Sequence, residues 1–214
     1  MFSVREIKKT ARAGLKGNMR PSVLATLVCA VIGALLCTPV PEEGPAWVDG
    51  LAVVATLFSG GACLLAWSAF FLRTSCGGKL TFWDFVQGFE HFLSGALCFA
   101  WCALWVLLWS LLFVVPGIVK AFSYSMAFFV LSDNPRLGAR KALSISKVLT
   151  RGHKGDLFVL LVSFLLWEIL AAITLEILQL WLAPYVATSF ATSYWQLKEE
   201  ALRTGRLTVA DFQA

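Results

Sequence analysis

Basic residues alternate with apolar runs along this chain, and the alternation has a sense. Of its 18 Lys and Arg residues, six fall within residues 1–20, two between Arg73 and His91, six between Ser132 and Asp156, and three after Leu197. Only Lys120 lies inside an apolar run, and the connection 38–49 carries Glu42, Glu43 and Asp49 with no base. Polytopic membrane proteins keep Lys and Arg on their cytoplasmic connections. The pattern predicts a chain threaded repeatedly through a bilayer, with every basic connection on one side.

Composition agrees. Hydrophobic residues make up 58% of the chain and charged residues 14%, where a soluble domain carries about a quarter charged. The net charge of +5 does not point to nucleic acid, because the bases are divided among segments that border apolar runs. It implies instead an attraction to anionic lipid headgroups, about 1 kcal/mol per base near the surface. Cys29, Cys37, Cys63, Cys98 and Cys102 sit in apolar runs as small packing residues, and Cys76 sits in a predicted cytoplasmic loop. With no CxxC and only His91 and His153 to supply imidazole, no metal or cofactor is expected. The basic N-terminus and the run from Ser22 read as a retained signal-anchor, since no A-x-A-like cleavage site follows.

A helix needs about 20 apolar residues to cross a bilayer. Runs 22–40, 48–72, 93–115 and 157–182 meet that length. Segments 117–131 and 184–197 follow Pro116 and Pro184 and are shorter, either full crossings or re-entrant helices. Treating both as returning helices keeps every basic connection on one side. The expected fold is thus an all-α polytopic bundle of six transmembrane segments in three hairpins (22–72, 93–131, 157–197), with a tail at 198–214 and both termini cytoplasmic.

An amphipathic stretch precedes each hairpin: 1–20, 81–92 and 135–150. In the first, Val4, Ile7, Ala11 and Leu15 make a stripe opposite Lys8, Lys9, Arg12 and Lys16. Such helices lie in the headgroup plane. Leu15-Lys16-Gly17-Asn18 and Thr150-Arg151-Gly152-His153 occupy equivalent junctions, which suggests a threefold internal repeat.

The residues that could carry chemistry are few. Lys120, Glu168 and Glu176 are ionisable groups inside runs, each demanding a partner, water or neutralisation. Glu168, Ala172, Glu176 and Gln179 would share one helix face. Tyr185, Thr188, Ser189, Thr192, Ser193 and Gln196 make a second polar stripe, and Lys120, Ser123, Tyr124 and Ala127 a third. These stripes line a polar cavity or pack helices closely through small hydroxyl residues. Arg136, Arg140, Lys141, Lys147, His153 and Lys154 are candidates for binding anionic headgroups. No Walker A, GxGxxG, HExxH or G-x-S-x-G motif occurs, and no catalytic residues are assigned.

The run Pro116-Gly117-Ile118-Val119-Lys120-Ala121-Phe122-Ser123-Tyr124-Ser125-Met126 is followed by Asp133-Asn134-Pro135, by Ala142 through Ser146-Lys147, and by Gly152-His153-Lys154 with Asp156-Leu157-Phe158. In this order they resemble domain-of-unknown-function family 975, multi-pass membrane proteins mostly of Gram-positive bacteria. The resemblance implies residence in a bacterial plasma membrane. It takes in Lys120 and Ser123-Tyr124-Ser125; Glu168 and Glu176 match nothing in that pattern.

The function expected from these residues is non-enzymatic. One reading is a transporter or transport accessory with a polar intramembrane cavity. The other is a scaffold or anionic-lipid-binding module whose partner is the bilayer, a second copy or another membrane protein.

Overall fold

The computed structural model describes residues 3–36, 46–174 and 176–213, which leaves Cys37 and the acidic connection with Glu42 and Glu43 outside the described residues. Among the described residues the elements are α1 (Val4–Leu15), α2 (Met19–Leu36), α3 (Ala46–Ser75), α4 (Phe82–Gln87), α5 (Phe92–Leu112), α6 (Val114–Tyr124), α7 (Ala127–Asp133), α8 (Ala139–Leu149), α9 (Lys154–Ile173) and α10 (Gln179–Arg203). Short 3₁₀ turns add Gly88–His91 and Val209–Phe212. Helix satisfies every backbone group within its own segment, as apolar surroundings require.

Four stretches are long and apolar enough to cross a membrane: Val54–Ser75, Phe82–Leu111, Val115–Asp133 and Lys154–Ile173. The pair α1–α2, bent by 98°, passes only as a pair and makes five at most. Leu107 and Leu111 of α5 and Leu166 and Ile173 of α9 are more than two-thirds exposed, an outer surface suited to lipid rather than water. Helices of this length and hydropathy are those of a membrane protein. The count falls short of the expected six because 184–197 lies within α10, whose Thr, Ser and Gln residues keep it out of this set.

The breaks also move. The reversal after α5 is at Phe113, whose backbone is extended (φ −157°, ψ 141°), three residues before Pro116. Pro116 falls in the first turn of α6, where its missing N–H costs nothing. Gly117 serves packing: a Cβ there would lie 2.9 Å from Ser110 Cα, so glycine lets α5 and α6 close against each other. The expected run 157–182 stops at Ile173. Glu176 takes φ 62° in the following turn, where its N–H donates to the Ala171 carbonyl at 2.9 Å. Pro184 then sits inside α10, and the helix continues through it.

Small residues seat the other helices. A Cβ on Gly61 of α3 would lie 2.5 Å from Ala96 Cα of α5. The hydroxyls of Ser68 and Ser132 meet at 2.6 Å between α3 and α7. α3 is the hub, touching α1, α2, α4, α5, α7 and α10, and α10 touches α1, α2, α3, α8 and α9.

α1 and α8 spend their apolar faces on protein. Ile7 of α1 is buried with Leu160 and Phe164 of α9 and Leu182 of α10. Ala142, Leu143, Ile145 and Leu149 of α8 join the main core. The stretch 81–92 becomes α4 and a 3₁₀ turn that lead into α5, with Phe85 edge-on to Phe70 at 6.1 Å. The junction glycines do share a backbone state: Gly17 has φ 97° and Gly152 φ 92°.

Side-chain contacts gather the four basic connections at one end. Asn18 Nδ2 donates to the Gly78 carbonyl, and Asn18 Oδ1 accepts from the Leu80 N–H at 3.0 Å. Ser132, Asp133 and Trp195 share a recess with Arg73, Cys76 and Gly78. Asp133 accepts from Tyr194 at 2.9 Å and from Lys198. His153 Nε2 lies 3.0 Å from Glu200 Oε1.

Candidate functional site

The three polar stripes do not converge. On α10, Thr188, Ser189 and Ser193 are fully buried and Thr192 nearly so. Each hydroxyl donates to the carbonyl four residues back in its own helix, at 2.7–2.9 Å. A hydroxyl satisfied in this way lets neighbouring helices approach closely and presents no open donor to a solute. Lys120 stands over the Trp109 ring of α5 at 4.6 Å. Ser123 donates to the Val119 carbonyl at 2.8 Å, and Tyr124 is buried. Glu168 is half-buried on α9, and Glu176 is exposed in the turn beyond. Among the described residues no ion pair or hydrogen bond joins Lys120, Glu168 and Glu176.

The motif residues around α8 are structural ties. Where α6 ends, the Ser123 carbonyl accepts from Ser146 of α8 at 2.8 Å and from Thr150, just past its C-terminus, at 3.4 Å, both buried. Asn134 donates to the Phe212 carbonyl. His153 sits between two carboxylates, Asp156 at 3.0 Å and Glu200 at 3.0 Å, and Glu200 also accepts from Arg206 at 2.8 Å. His153 thus fastens the α8–α9 junction to α10. Burial works to raise the Glu200 pKa, but the bonds from His153 and Arg206 outweigh it and hold the carboxyl below its usual range.

The remaining bases on and beside α8 face outward. Arg136, Arg140, Lys141 and Lys147 are exposed and Lys154 partly so. Arg140 lies over Trp101 at 4.5 Å, Lys147 over Tyr124 at 5.4 Å, and Lys141 donates to the Gln213 carbonyl at 2.9 Å. Aromatic rings hold the charged heads of two of these cations in place while the residues stay exposed.

Sequence reasoning missed a cleft between α1 and the α9–α10 pair, about 600 Å³ in volume. One wall carries Lys8, Arg12 and Lys16, and the other Trp167, Leu178, Trp181 and Leu182. Tyr185 lines it, and its buried hydroxyl has no hydrogen-bond partner among the described residues. Arg12 lies over the Tyr185 ring at 5.2 Å. Lys8 donates to the Ser163 carbonyl at 3.1 Å and stands over Phe164 at 4.0 Å. The basic stripe of α1 was legible in sequence. Its counterpart on α9 and α10, far along the chain, was not.

No curated protein and no solved structure matches the chain. The helices α6 to α10, in which Pro116-Gly117, Asp133-Asn134-Pro135 and Gly152-His153-Lys154 fall, do have a counterpart. Residues 111–201 match the family described as protein of unknown function (DUF975), the family whose motif order the sequence resembles.

Proposed function

We propose that this chain is a non-catalytic scaffold of a bacterial plasma membrane that holds anionic lipid on basic helices at its cytoplasmic end. One observation carries the reading: α1 and α8 bury their apolar faces in the protein and, Lys8 apart, leave their bases exposed. A helix fixed in this way presents a rigid cationic face, and each base near an anionic surface contributes about 1 kcal/mol. The positive-inside bias supports a cytoplasmic setting for that end. A transport path through Lys120, Glu168, Glu176, Thr188 and Thr192 finds less support, because the α10 hydroxyls are satisfied within their own helix.

The test uses full-length protein in neutral detergent, titrated with phosphatidylglycerol or phosphatidylcholine and followed by thermal unfolding. Phosphatidylglycerol should raise the melting temperature, and salt should erode the gain. Neutralising Arg136, Arg140 and Lys141 together should weaken the apparent affinity at least tenfold. Equal responses to the two lipids would defeat the proposal.

A further inference from the structure

We infer that the cleft between α1 and the α9–α10 pair is a binding site for one glycerophospholipid with an anionic headgroup. The inference rests on the lipid-scaffold reading and places a specific, tightly held molecule at a site that sequence did not reveal. Three features select this ligand. Lys8, Arg12 and Lys16 line one wall, no carboxylate lines the cleft, and Lys16 has no side-chain partner among the described residues. The opposite wall is indole and leucine, continuous with the exposed apolar surface of α9 through Trp167. The buried Tyr185 hydroxyl lacks a partner between the two, where a glycerol ester or phosphate oxygen would supply one.

Lys8 adds to the case. It bonds to Ser163, the tenth of the twenty residues of α9, so its charge lies along an apolar helix, where it needs water or a counter-anion. The cavity falls within the range of roughly 300–1,000 Å³ typical of ligand pockets. It takes a headgroup, the glycerol and the first acyl carbons, and leaves the chains to run out along α9. A second recess of about 620 Å³, lined by Arg5, Lys9 and again Arg12 and Lys16, adjoins it and extends the cationic wall.

Native mass spectrometry of the full-length protein tests this, with phosphatidylglycerol, phosphatidylcholine or inorganic phosphate added. One phosphatidylglycerol should remain bound under activation that strips phosphatidylcholine, and millimolar phosphate should not displace it. Arg12→Gln with Lys16→Gln should lower its retention at least tenfold. Leu178→Trp fills the apolar wall without touching a base and should lower it as well. The α8 variant lacking the charges of Arg136, Arg140 and Lys141 should keep this one molecule. Undiminished retention in both cleft variants, or displacement by phosphate alone, overturns the inference. If the lipid is lost only from the α8 variant, the cleft fails and the scaffold reading survives. If wild type keeps no preference for phosphatidylglycerol, both fall.

Discussion

At the scale of single residues, the strongest commitments lie where a polar group is buried with a defined partner. Tyr194 is fully buried and donates to Asp133, which also takes Lys198. Burial first, and then the Asp133 carboxylate, push the phenol above its usual range, so it remains a donor at any working pH. Tyr194→Phe removes that bond and leaves Lys198 in place; the expected cost is about 1–2 kcal/mol, read as a lower unfolding midpoint. No change would mean that Lys198 alone satisfies Asp133. Glu200 makes a pH prediction. Its folded pKa is depressed, so its stabilisation is present above the ordinary carboxylate value of about 4.3 and is lost as pH falls through the lower folded value. The stability gap between wild type and Glu200→Gln should therefore close on acidification below about pH 4. A gap constant from neutral to acid pH would show that the His153–Glu200–Arg206 network contributes nothing through ionisation.

At the scale of elements, the α5–α6 turn separates what sequence reveals from what it conceals. Pro116-Gly117 signals an interruption, and one occurs nearby. The chain reverses at Phe113 instead, because a proline in the first turn of a helix is tolerated while Gly117 is needed against Ser110. Gly117→Val should destabilise the pair by about 1–3 kcal/mol through overpacking, and Ser110→Gly should recover part of that loss. Failure of the second change to help would place the clash elsewhere. Pro184 misleads in the same way: helix propensity marks a break there, yet packing around α10 carries the helix through. The amphipathic periods of α1 and α8 were legible, since period alone reports which face is apolar. What that face meets was not, because water, headgroups and another helix all satisfy the same stripe. The cleft was hidden for the same reason: its walls come from the two ends of the chain.

At the scale of the whole molecule, the contacts constrain how the chain threads the membrane. Asn18 bonds to Gly78, Trp195 shares a recess with Cys76, Gly78 and Asp133, and Asp133 binds Lys198. Segments that touch lie on one side, so the crossings between 18 and 78, between 78 and 133, and between 133 and 198 must each be even in number. α2 with α3, and α5 with α6–α7, satisfy this as crossing pairs. α9 and α10 must then cross together or not at all, although α9 taken alone is apolar enough to cross. The second option fits the contacts better. Trp181 shares the cleft with Gly17 and Met19, while Trp195, about 21 Å further along the helix at 1.5 Å per residue, meets Cys76 and Gly78. On that option α10 would run across the basic end and α9 would accompany it, its exposed leucines turned to lipid. Single-cysteine labelling in right-side-out and inverted vesicles decides the matter. Cys76, Ser144→Cys and Val209→Cys should react from the cytoplasmic face alone, and Ile177→Cys, in the turn between α9 and α10, should not react from the outer face. Outer labelling of Ile177→Cys would make this pair a full hairpin and restore six crossings. Outer labelling of Ser144→Cys would break the parity itself, and with it the grouping of the basic connections on which lipid binding depends.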